Sequence, residues 1–199
     1  MLNAGIILLA AGNSTRMGSA KQLMTFHGKP LLRHAAEVVC RSNCAPVIVV
    51  LGAREHDVRA VLRNLPLEIV VNDSWSEGIG TSIRTGLRAL ENRPVCGVIL
   101  ALADQPFITA EFLHGLAQQH TRTRKLIVAS RYSGTVGVPA FLSRQLFPRL
   151  QALKPHEGCK NLLLDCSHEA VLIDCPEAAI DIDSPEDYAK ATRPGGSVR

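Results

Sequence analysis

Short apolar runs at 5–10, 46–51, 67–71, 97–103 and 126–129 punctuate the chain, each rich in Val, Ile and Leu and continuous instead of alternating. Strands covered on both faces read this way, and a parallel sheet follows. Between the runs, 30–41, 56–62, 79–90 and 109–120 carry apolar residues at spacings of three and four, the signature of helices with one buried face. Two of them have start signals: Pro30 at a first-turn position, and Thr109 followed two residues later by Glu111. Strand alternating with helix predicts an α/β architecture, a doubly wound and mostly parallel sheet.

The last third is less regular. A loop is expected over 134–139, helices over 142–153 and 159–164, short strands over 170–173 and 179–182, and a closing helix over 185–192. Ser184, Pro185 and Asp187 supply a cap, a first-turn proline and a carboxylate three residues after the cap. No repeat or linker divides the chain, so residues 1–192 read as one domain and 193–199, without apolar content, as a mobile tail.

Composition narrows the class. With 46% hydrophobic and 20% charged residues among 199, the chain has enough apolar material for one sizeable core. No apolar run approaches the length of a membrane span, and no basic segment precedes the first run as in a signal peptide. The expectation is a cytoplasmic protein with no membrane partner. The net charge of +4 is spread along the chain and aromatics are only 4%, which argues against nucleic acid and favours a small anionic ligand. The six cysteines form no C-x-x-C pair and the seven histidines no ligand spacing; small buried thiols and surface imidazoles are the expectation.

Candidate chemistry concentrates in the stretch from Leu8 to Lys21, directly after the first strand, where a parallel sheet places its ligand-binding loops. Gly12 and Gly18 allow close approach of backbone N–H groups to an anion, and Arg16 and Lys21 add two positive charges. The pattern suits a polyphosphate. It has neither the Gly-Lys-Ser/Thr of a P-loop nor the G-x-G-x-x-G of dinucleotide folds. Asp104 ends the fourth apolar run and Pro106 turns the chain out of the sheet, so this carboxylate is expected to face the crevice as a magnesium ligand; the alternative is a cap of the next helix, which already has Thr109. Asp181 and Asp183, two apart in an extended segment, share a face; either completes that site, or both serve the next helix N-terminus. Gly78, Gly80 and Ser82 follow another strand, with Trp75 nearby, and read equally as a nucleotide contact or as an ordinary cap and loop.

Leu9-Ala10-Ala11-Gly12-x-Ser14-x-Arg16-Met17-Gly18-x-x-Lys21 resembles the opening signature of the MobA-like nucleotidyltransferases, which have a Rossmann-like nucleotide-diphospho-sugar transferase fold. The resemblance continues through Asn72–Ile83, Leu102-Ala103-Asp104-Gln105-Pro106, Gly137-Val138-Pro139 and Asp181–Asp187. Leu-Ala-Ala-Gly makes the chain most similar to the molybdenum cofactor cytidylyltransferase branch. The resemblance implies catalytic roles for Arg16, Lys21 and Asp104. It implies nucleotide contacts from Leu9, Ala10, Ala11, Gly12, Ser14, Gly18, Asn72, Gly80 and Ser82. Acceptor contacts fall to Gly137, Val138 and Pro139, and Mg²⁺ to Asp104 with Asp181 or Asp183. CTP would be the donor, molybdopterin the acceptor and a molybdoenzyme the client. The chain departs from the family pattern at Val138, where histidine is common, and at Cys159 and Lys160, where Ala-Arg is expected. Other readings are a guanylyl or other nucleotidyl transfer to a different phosphate, a non-catalytic cofactor carrier, and a nicotinamide-dependent oxidoreductase, whose glycine fingerprint is missing.

Overall fold

The computed structural model describes residues 3–14, 17, 20–166 and 170–193. All six residues of β1 (Ala4–Leu9) are buried, as a central strand with helices on both faces requires. It pairs in parallel with β4 (Val47–Leu51) and β6 (Gly97–Leu102), and β4 pairs in parallel with β5 (Glu68–Val71). Successive side chains of β1 serve opposite cores: Ile6 and Leu8 one, Ile7 and Leu9 the other. The first core is closed by α1 (Leu31–Arg41), α2 (Glu55–Arg59) and α4 (Ala110–Thr123) through Leu32, Val58 and Leu113. The second is closed by α3 (Ile79–Leu90), α5 (Phe147–Gln151) and α6 (Lys160–Asp165) through Ile83, Leu150 and Leu162.

Among the described residues the sheet has seven strands in the order β5-β4-β1-β6-β8-β7-β9. Here β7 (Ile127–Tyr132) and β9 (Ala170–Asp174) run parallel to each other, while β8 (Thr135–Ser143) is antiparallel to both β6 and β7. A small hairpin of β2 (Thr25–Phe26) and β3 (Lys29–Pro30) precedes α1, and α7 (Pro185–Ala191) is the last element among the described residues.

Several sequence expectations are corrected. Residues 134–139 are not a loop but the first part of β8, which continues to Ser143 before a short helical turn leads into α5. Glycine and proline masked it: Val138 and Pro139 fall in a register shift opposite Ala129 and Ser130, where a strand tolerates a residue without an N–H. Residues 179–182 form no strand; a 3-10 turn at Pro176–Ala179 gives way to an extended segment joined to the sheet edge by Ile182 N–H donating to the carbonyl of Asp104 at 2.9 Å. Pro30 sits one residue before α1, not within its first turn. Thr109 and Ser184 cap as expected: Thr109 Oγ1 accepts from Phe112 N–H at 3.1 Å, and Ser184 and Asp187 bond reciprocally in a capping box. Four cysteines are buried as free thiols, but Cys96 is exposed despite its apolar neighbours. Burial pushes the Cys159 thiol up to about 12, so it behaves as a small hydrophobe. Among the described residues no helix is long and apolar enough to cross a membrane.

Candidate nucleotide site

Parallel pairing brings the carboxyl ends of β1 and β6 together, with Leu9 beside Leu102, so the chain after each strand emerges at one edge. Ala103 N–H donating to the Leu9 carbonyl at 3.1 Å extends that alignment one residue beyond β6. A cavity of about 380 Å³ opens there, within the range of small-molecule sites. Leu9, Ala10, Ala11, Gly12 and Asn13 form one wall, Trp75, Ser76, Gly78 and Ile79 another; Lys21, Ser82 and Asp104 bring polar groups to it, and Gln22 lines it with its amide bonded to the first wall.

Charge is focused at the mouth. Lys21 Nζ donates to Asp104 Oδ2 at 2.7 Å and to Asp183 Oδ1 at 2.6 Å, its side chain only 15% exposed. Burial alone lowers a lysine pKa, but these two carboxylates outweigh it and hold Lys21 above its ordinary value, firmly charged. Asp104 keeps its other oxygen, Oδ1, buried with no hydrogen-bond partner. Such an oxygen is costly unless a cation or donor meets it. Asp181 reaches solvent, yet burial of its carboxyl and the adjacent Asp104 push it up to about 6, against hydrogen bonding from Gln105. Among the described residues no group of three or more His, Cys, Asp and Glu side chains is gathered as a metal cage. Two hard oxygen donors at the mouth, one of them orphaned, fit a divalent ion that also uses ligand phosphates.

The structure thus brings together Leu9, Ala10, Ala11, Gly12, Lys21, Ser82, Asp104 and Asp183 around one crevice. Arg16 and Gly18 lie outside the described residues, as do 194–199 of the expected tail. Ser14 stands behind the wall, its Oγ donating to Gln22 Oε1 at 3.2 Å. Asn72 is 3% exposed and does not line the cavity; its Nδ2 donates to Thr81 Oγ1 at 2.8 Å and Ser82 Oγ at 2.9 Å, fixing the start of α3. Gly80 makes its close approach to this chain and not to the cavity: a Cβ there would come within 2.1 Å of the Lys154 carbonyl, and its N–H donates to Pro155 O at 2.8 Å. Trp75 packs over Gly52 and also lines the cavity. Gly137 in β8 lies under the Tyr132 hydroxyl, and the Pro139 carbonyl accepts from Ser130 Oγ at 2.6 Å. None of Gly137, Val138 and Pro139 lines this cavity. Asn13, Gln22 and Ile79 line it without a signal in sequence, since one polar amide or one exposed isoleucine carries no periodicity.

The MobA-like NTP transferase domain model matches residues 6–171. The chain belongs to this family. The nicotine blue oxidoreductase of Paenarthrobacter nicotinovorans is 35% identical over 128 residues, 64% of this chain and 61% of that protein. The purine catabolism protein PucB of Bacillus subtilis (strain 168) is 27% identical over 167 residues, 79% of this chain and 78% of PucB. Among solved structures, Rv0371c from Mycobacterium tuberculosis H37Rv in complex with manganese superposes with a TM-score of 0.79 at 26% identity, covering 95% of this chain and 97% of that one. The MobA-like chain is therefore a nucleotidyltransferase-family protein with a Rossmann-like fold, and one structural relative is solved in complex with manganese.

Proposed function

We propose that the protein transfers CMP from CTP to a phosphate of an acceptor, molybdopterin of the molybdenum cofactor, and releases pyrophosphate. The observation that carries this reading is Lys21 held between Asp104 and Asp183 at the mouth of a cavity walled by the loop after β1. An acceptor phosphate oxygen attacks the α-phosphorus in line, the new P–O bond forms as the α–β bridge breaks, and the electron pair leaves on pyrophosphate. An acceptor that is already a phosphate monoester needs no general base. Such transfers ask the protein for alignment and charge, which sets the roles of the residues. The Gly12 loop offers N–H groups to the phosphates. Lys21 neutralises the charge that grows on the leaving pyrophosphate, assisted by Arg16. Asp104 with Asp183 or Asp181 would hold Mg²⁺, which supplies Lewis-acid polarisation of the α-phosphate when bound. Asp183 is favoured as the second ligand because it accepts from the same Lys21 Nζ as Asp104.

Pyrophosphate release from CTP, GTP, ATP and UTP, each with Mg²⁺ and molybdopterin, tests the proposal. A clear CTP preference is expected; equal rates, or a GTP preference, would count against the cytidylyl reading. Cofactor binding with no pyrophosphate from any of the four would favour the carrier reading.

The 35% identity to a protein named as an oxidoreductase supports a second reading, hydride transfer within the same crevice. The loop after β1 lacks a dinucleotide fingerprint. Oxidation of NADH or NADPH in the presence of a quinonoid dye, exceeding the blank, would favour that reading.

A further inference from the structure

The side chain of Gln22 follows the charged Lys21 but turns inward, and it is only 5% exposed. Its Nε2 donates to the carbonyls of Gly12 at 2.7 Å and Ala10 at 3.3 Å, while its Oε1 accepts from Ser14 Oγ at 3.2 Å. Ser14 stands in the left-handed region at φ 54° and its Oγ also accepts from Lys21 N–H at 3.3 Å. One buried amide therefore spends both donors and its acceptor on the two ends of a single loop. In a trans peptide the N–H points opposite to the C=O. Drawing the carbonyls of Ala10 and Gly12 toward Gln22 turns the N–H groups of Ala11 and Asn13 the other way, and both residues wall the cavity. Anion-binding concavities are made of such co-directed N–H groups.

We infer that Gln22 is a positioning residue that sets the phosphate-facing orientation of the 10–14 loop and thereby the affinity for a polyphosphate chain. This rests on the nucleotide reading of the site above. The shape of the side chain matters less than its donors: Met fills similar space without them, and an ionised Glu would set an oxygen against two carbonyl oxygens.

Inorganic tripolyphosphate with Mg²⁺ is the probe, because it reports on the loop without depending on the base. Gln22→Met and Gln22→Glu are compared with the unaltered protein for thermal midpoint and, by calorimetry, for affinity at pH 8 and pH 5.5. Both variants are expected to unfold within a few degrees of the unaltered protein and to bind at least tenfold more weakly at pH 8. At pH 5.5 Gln22→Glu, regaining a donor as it protonates, is expected to recover several-fold relative to the unaltered protein at the same pH, while Gln22→Met does not. A role confined to stability would not produce that recovery. Unchanged affinity in both variants overturns the inference and leaves the nucleotide reading standing. So does an equal loss at both pH values that follows the fall in midpoint. Failure of the unaltered protein to bind tripolyphosphate or any nucleoside triphosphate overturns both.

Discussion

Lys21 illustrates how a single residue acquires its role from its surroundings. Two carboxylates within 2.7 Å fix its charge and aim it across the crevice, so removing it takes away the cation that Asp104 and Asp183 share. Lys21→Ala is expected to lower turnover at least a hundredfold, about 3 kcal/mol or more of transition-state stabilisation, with near-normal pyrophosphate release contradicting its assignment. Asp104→Asn keeps the shape but not the charge. It should raise the Mg²⁺ concentration needed for half-maximal activity at least tenfold, measured by metal titration at fixed nucleotide. At this scale residue type and position pointed to Gly12, Lys21 and Asp104, which the structure gathers around one cavity. The sequence could not announce Gln22 or Asn72, whose roles come from where a buried amide finds its partners. Gly80 shows the reverse error, a glycine whose missing Cβ serves the chain's own segment at 154–157.

Elements position these groups. The start of α3 is fixed by Asn72 and by the Lys154–Glu157 segment laid over Gly80, which leaves little room for change. Gly80→Ala should destabilise the protein by roughly 1–3 kcal/mol through overpacking, read as a lower urea midpoint. Glu37 on α1 accepts from Lys29 of β3 at 2.6 Å and from Arg33 of the same helix at 2.8 Å, and the two hold its carboxyl down to about 2 from 4.5. A depressed carboxyl pKa stabilises the fold fully above pH 4.5, and that stabilisation is lost as pH falls toward 2. Glu37→Gln should therefore narrow the difference between neutral and acid stability by roughly 0.2–1 kcal/mol, the worth of a solvent-accessible ion pair. Identical acid-denaturation curves for the two proteins would contradict this. Central strands and amphipathic helices were readable because burial on two faces, or on one, leaves a periodic trace. β8 was not, since its bulge places Val138 and Pro139 where a loop is otherwise the natural reading.

For the molecule as a whole, β1 does most to unite fold and site. Its buried side chains join the two cores, and its carboxyl end delivers the loop that faces Asp104 across one crevice. Sheet architecture was legible because that continuous apolar run has few other uses, whereas donor base and acceptor depend on contacts that the shared architecture leaves open. Calorimetric titration of the protein with CTP, GTP, ATP and UTP in excess Mg²⁺ decides whether the crevice at the end of β1 is a nucleotide site. Saturable binding, strongest for CTP, is expected, abolished or weakened at least tenfold in Lys21→Ala; no uptake of any of the four, or equal uptake by that variant, would rule such a site out.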